Sequence, residues 1–141
     1  MSRERFSGVR DALKARARRP ETVDASVLDS EPYGYAGKRP VTVHIVQPEF
    51  TALCPMTGLP DHGTVTVDYE PAERIVELQS LKFYLVQYRD VGIFYEHAVN
   101  RILDDLVALL SPRRMTVSIA YTPRGGISTS VTAVHPTGRA Q

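Results

Sequence analysis

The chain has 141 residues, of which 43% are hydrophobic and 23% charged, with a formal net charge of +1. Such a length and composition fit one globular domain of the common ~100–150 residue size. The near-neutral balance excludes a generally basic nucleic-acid binder. No apolar run approaches the ~18 residues of a membrane-spanning helix, and the single cysteine excludes an internal disulfide or a cysteine-rich zinc site.

Residues 1–40 read as an N-terminal arm, partly helical or flexible, preceding a single domain over 41–141. The arm is basic at its start, with Arg3, Arg5, Arg10, Lys14, Arg16, Arg18 and Arg19. Glu4 and Asp11 argue against a transit peptide, and no secretory hydrophobic core precedes the domain. A cytoplasmic location is the expectation. A short helix is predicted over Ser7–Arg18, stopped by Pro20, and Glu31–Gly37 is a loop by its Pro and Gly content.

Val41–Val46 alternates with Val41, Val43 and Ile45 on one face, a strand pattern. Pro48 interrupts it. The next stretch, Leu53-Cys54-Pro55-Met56-Thr57-Gly58-Leu59-Pro60-Asp61, holds two prolines and a glycine and reads as a rigid turn. Gly63–Tyr69 alternates again, a second strand, and Arg74–Glu77 adds a short third piece. Leu81, Tyr84, Leu85 and Tyr88 then lie at i, i+3, i+4 and i+7, one helix face, with Ser80 where a cap could sit. A second helix is predicted over Ile93–Leu110, with a row of Phe94, Ala98, Ile102, Leu106 and Leu110. Met115–Tyr121 and Ile127–Val134 form a hairpin about Pro123–Gly126. A polar tail follows from His135.

The predicted class is α+β: strands and helices in the order ββααββ, with the helices segregated on one face of a four-stranded antiparallel sheet. Four strands leave two edges, which proteins cover, blunt or pair. Homo-oligomerisation is the expectation from that argument.

The chemistry-bearing residues each admit two readings. Cys54 is either a nucleophile on a rigid turn or a small buried hydrophobe. Asp61 is an acid if burial keeps its proton on, or else a turn residue. Glu77 and Glu96 either accept the paired N–H donors of a guanine-like edge or stand at helix starts, favoured by the dipole. Lys82, Arg89, Arg113, Arg114 and Arg124 could hold phosphates, yet neither a dinucleotide glycine fingerprint nor a P-loop is present. His44, His62 and His97 have no metal-ligand spacing with Cys54, so no metal is expected.

Leu53–Asp61 resembles the nucleophile motif of the short, single-module 7-cyano-7-deazaguanine reductases. Glu77-Leu78-Gln79-Ser80-Leu81-Lys82-Phe83-Tyr84 resembles their second signature. Gly92-Ile93-Phe94-Tyr95-Glu96, Asn100-Arg101-Ile102 and Pro123-Arg124-Gly125-Gly126-Ile127 follow in the family's order. The similarity runs over about residues 31–130. Two positions depart from it: Gln79 stands where the signature has lysine, and Tyr95 where many members have histidine.

The resemblance implies the tunnelling fold and an NADPH-dependent nitrile reductase of queuosine biosynthesis, a tRNA-modification route. It implies Cys54 as thioimidate-forming nucleophile and Asp61 as proton donor. It implies Val76, Glu77, Leu78, Tyr95 and Glu96 around the substrate 7-cyano-7-deazaguanine, and Ser80, Lys82 and Arg124 toward NADPH. It also implies a ring-shaped homo-oligomer, single or double, with sites at subunit interfaces and no direct nucleic-acid or membrane contact. Two other readings compete. One is a relative that forms the same thioimidate but adds an amine without NADPH; the other is a non-catalytic purine- or pterin-binding protein of the same fold.

Overall fold

The computed structural model describes residues 2–137. From residue 138 on, the expected polar tail lies outside the described residues. The chain runs α1 (Ser2–Arg16), β1 (Ser30–Pro32), β2 (Val43–Leu53), β3 (Pro60–Glu70), β4 (Arg74–Val76), α2 (Leu78–Val86), α3 (Tyr95–Leu110), β5 (Arg114–Arg124) and β6 (Ile127–His135). Strands β2-β3-β5-β6 form one antiparallel sheet in that order, and β1 pairs with β4 in a separate two-stranded ribbon. The main sheet and the two helices between its hairpins have the predicted ββααββ order.

The core follows from alternation. On β3, Val65, Val67 and Tyr69 point to one face; on β5, Met115, Val117, Ile119 and Tyr121 do the same. Against them lies the apolar face of α3, with Ala98, Val99, Ile102, Leu103, Leu106 and Leu110 buried. Leu81, Tyr84 and Leu85 of α2 join the same core.

Strand β2 is longer than the predicted Val41–Val46. It continues through Pro48 to Leu53, with its register shifted between Gln47 and Phe50. The bulge and the edge position together accommodate a proline that cannot donate to a ladder. The bulge also changes which residues face inward, so Phe50 and Ala52 enter the core. Helix α2 begins earlier than its apolar spacing indicates. Its N-cap is Glu77, whose carboxylate accepts from the Gln79 and Ser80 amides at 2.9 and 2.7 Å. Ser80 therefore lies inside the first turn and is not the cap.

Residues 17–32, read from sequence as part of an arm, are packed on the domain. Val23 and Leu28 are buried in the core. The Arg101 guanidinium donates to the Pro20 and Val23 carbonyls at 3.2 and 2.9 Å. Two short 3-10 turns and a three-residue strand carry no periodic signal, which is why this packing is not visible in the sequence.

Candidate active site

Cys54 sits in the connection between β2 and β3. Its amide donates to the Leu59 carbonyl at 2.9 Å, and the Gly58 amide donates to the Cys54 carbonyl at 2.8 Å, closing a tight loop. Gly58 has φ +77°, in the left-handed region. A Cβ there would stand 2.6 Å from backbone atoms of Leu13 and Lys14, so α1 rests directly on the loop.

A second segment fixes the same loop from the other side. The Leu53 amide donates to the Val91 carbonyl at 2.9 Å, and the Ile93 amide donates to the Leu53 carbonyl at 3.1 Å. Arg18 grips Val91–Gly92 from the opposite edge, accepting from the Gly92 amide at 2.9 Å and donating to the Asp90 carbonyl at 2.7 Å. Residues 91–93 lead straight into α3. The thiol and the first turn of α3 are thereby tied through one short parallel ladder.

A cavity of about 390 Å³ opens between these elements, within the range of small-molecule sites. Cys54, Asp61, Tyr95, Glu96 and Arg124 line it, over an apolar wall that includes Ile93 and Phe94. Asp61 points inward from β3 and is only 5% exposed. It is neither a turn residue nor a helix cap. Its Oδ1 accepts from the Tyr95 hydroxyl at 3.2 Å and lies 3.1 Å from Nη2 of Arg124. A buried carboxylate requires such partners. Tyr95 lies flat on Tyr121, ring centroids 3.6 Å apart and planes 12° from parallel.

The Cys54 thiol is shifted on balance below its ordinary value. Burial and the Asp61 charge push it up, but the Thr57 hydroxyl and the Met56 and Thr57 amides donate to the sulfur and outweigh them. The thiolate is thus more accessible at neutral pH than that of a free cysteine. Tyr95 is shifted the other way, by burial first and the Asp61 charge second, so it stays a hydrogen-bond donor.

The remaining expected site residues lie elsewhere on the protomer. Val76 is buried at the end of β4, with its amide donating to the Tyr69 hydroxyl at 3.0 Å. Glu77 caps α2, and Leu78 is exposed beside it. The Ser80 hydroxyl accepts from the Asp29 amide at 2.9 Å and donates to the Glu77 carbonyl at 2.7 Å. Lys82 lines a different groove of about 200 Å³ with Arg89, Glu49, Phe50 and Thr51, between β2 and α2. Lys82 and Arg89 are cations that can meet a phosphate there, beside the Glu49 carboxylate. Ser80 has its hydroxyl engaged within the fold, and Arg124 is turned onto Asp61.

Tyr121 is the residue that sequence reasoning missed. The alternation on β5 placed it on the buried face, but nothing local indicates that Tyr95 would stack upon it.

The family model described as QueF-like protein matches residues 60–140. A protein of Chlorobium luteolum named NADPH-dependent 7-cyano-7-deazaguanine reductase is 57% identical over 97 residues, 69% of this chain and 84% of the relative. Proteins with the same name from Caldicellulosiruptor bescii and Thermoanaerobacter pseudethanolicus are 53% and 49% identical, each over 80% of this chain and 86% and 84% of the relative. Among solved structures, an archaeosine synthase QueF-Like in the apo form superposes with a TM-score of 0.59 at 21% identity, covering 67% of this chain and 91% of that one. That likeness bears on the fold, which is the tunnelling fold. The match over residues 60–140, with relatives this similar over most of their own length, shows that the chain belongs to the QueF-like protein family.

Proposed function

We propose that this chain is an NADPH-dependent nitrile reductase that converts 7-cyano-7-deazaguanine to 7-aminomethyl-7-deazaguanine, a step of queuosine biosynthesis. One observation carries the reading beyond the relatives' names. The only thiol, shifted toward its thiolate, shares a cavity with a buried carboxylate and an open glutamate.

The proton balance follows from those groups. Asp61, an acceptor in the free protein, takes the thiol proton as the Cys54 sulfur bonds to the nitrile carbon. One π bond of the C≡N group opens, and the nitrogen takes that proton back from Asp61. The product is a neutral thioimidate on Cys54, with the carboxylate restored. Glu96, exposed in the first turn of α3 and lining the cavity, accepts the N–H donors of the deazaguanine edge. Phe94 and Ile93 supply an apolar wall for the ring system. NADPH, when bound, supplies the two hydrides that take the thioimidate carbon to the aminomethyl group, the sulfur leaving between them. Lys82 and Arg89 would hold its phosphates.

Val76, Glu77, Leu78 and Ser80 do not line the Cys54 cavity, nor does Lys82. We assign them to the edge of a neighbouring subunit's site in a ring-shaped homo-oligomer. The outer edges of β2 and β6, unpaired among the described residues, and the exposed Leu78, Phe83 and Ile127 support this arrangement. Among the described residues, no helix is long and apolar enough to cross a membrane.

Intact mass spectrometry tests the reading. Mixing with 7-cyano-7-deazaguanine should add the full mass of the nitrile to Cys54, and Cys54→Ala should abolish the adduct. NADPH should discharge it with loss of NADPH absorbance. An adduct that resists NADPH but is discharged by an amine would transfer the assignment to the amine-adding reading. Noncovalent binding with no adduct would support the non-catalytic one.

A further inference from the structure

The two contacts on Asp61 converge on a single oxygen. The Tyr95 hydroxyl and the Arg124 guanidinium both meet Oδ1, at 3.2 and 3.1 Å. A carboxylate oxygen held by two donors, one of them cationic, is the poorer place for a proton. The proton that passes between sulfur and nitrile nitrogen therefore belongs on Oδ2.

Tyr95 is itself held in place. Its ring lies on Tyr121 at 3.6 Å and 12°, and it opens α3 immediately after the ladder that carries Leu53. Tyr121 is 5% exposed, and its hydroxyl has no hydrogen-bond partner among the described residues. A buried hydroxyl left unpaired is a net cost, so the contribution of Tyr121 here is its ring face.

We propose that Tyr95 is a positioning residue: stacked on the Tyr121 platform, its hydroxyl works with Arg124 to pin Oδ1 of Asp61 and so turns Oδ2 toward Cys54 as the proton-exchanging oxygen. The role differs from contacting substrate. It rests on the nitrile-addition reading above. The titratable and charged groups around Asp61 are Cys54, Tyr95, Tyr121, Arg124 and Glu96.

The test is single-turnover adduct formation on Cys54, quenched and followed by intact mass across pH, without NADPH. Tyr95→Phe keeps the stacking and removes only the hydroxyl. The saturated rate should fall about ten- to hundredfold, the range for one hydrogen bond to a charged group, while the nitrile concentration giving half-saturation is unchanged. Tyr121→Leu, with the platform gone, should fall toward Tyr95→Phe. An unchanged rate in Tyr95→Phe would overturn the proposal. So would weaker nitrile binding at an unchanged saturated rate, which would make Tyr95 a substrate contact. Failure of the parent chain to form any adduct would instead remove the nitrile-addition reading, and this assignment with it.

Discussion

Gly58→Ala perturbs the Cys54 loop from outside the cavity, and the structure sets its size. At φ +77° an alanine sits in the left-handed region, at a strain of about 1–2 kcal/mol. Its Cβ would also stand 2.6 Å from the Leu13 carbonyl carbon and the Lys14 nitrogen. Ordinary contact between heavy atoms is about 3.5–4 Å, so α1 must retreat by about 1 Å or come away. The second term is capped by what holds α1 in place. Leu13 is only half-buried, so that docking contributes about 1 kcal/mol at roughly 25 cal/mol per Å². The full chain should therefore lose about 2–3 kcal/mol, a fall of about 6–12 °C at roughly 3–4 °C per kcal/mol for this size.

The comparison is with a chain lacking residues 2–16. There only the backbone strain remains, and the same substitution should cost about 1–2 kcal/mol. Thermal denaturation of the four proteins forms a double-mutant cycle, with alkylation of the lone thiol as the local readout. An identical cost in both backgrounds would refute the packing of α1 on the loop.

Further outcomes follow from the same geometry. Thr57→Val removes a hydroxyl that donates to the sulfur. The pH midpoint for alkylation of Cys54 should rise, and alkylation at pH 7 should slow. Asp61→Asn cannot take the thiol proton, so adduct formation should fall at least about a hundredfold, while binding of a ligand that lacks the nitrile persists. Tyr84→Phe takes a hydroxyl from a buried cluster in which Tyr84 meets Tyr88 and Asp105, and Arg101 grips Asp105 at 2.7 Å. Urea denaturation should show a loss of about 1–3 kcal/mol, with adduct formation unaffected.

The main sheet and both intervening helices were legible because each has a clean period: two along Gly63–Tyr69 and Met115–Tyr121, and three to four along Leu81–Tyr88 and Ile93–Leu110. Boundaries failed where a local rule was overridden. Pro48 argued for a strand end, and a bulge absorbed it. Ser80 lies where a cap could sit, but the Glu77 side chain, one turn earlier, accepts from the free amides instead. In the site, Cys54 and Asp61 were marked by the family resemblance, since chemistry alone left each with a structural reading as well. The Arg124 contact and the Tyr121 platform were not, since both join residues far apart in sequence. The β1–β4 ribbon escaped for the same reason: Ser30–Pro32 is too short to show a pattern until Arg74–Val76 lies beside it.

The ladder joining Arg18, Val91–Ile93 and Leu53 has a consequence for how the molecule is assembled. Its hydrogen bonds join segments about 40 and about 70 residues apart, and such non-local contacts carry more closure entropy than a hairpin's. The β2–β3 hairpin is local and can form early, with its thiol-bearing loop not yet covered. Having no second cysteine in the chain means that Cys54 cannot be diverted into an internal disulfide. The contacts that slot the entry to α3 between Leu53 and Arg18 are also the ones that hold Tyr95 and Glu96 beside the thiol. The reactive centre is therefore built on the same ladder that docks the start of α3 onto the sheet edge.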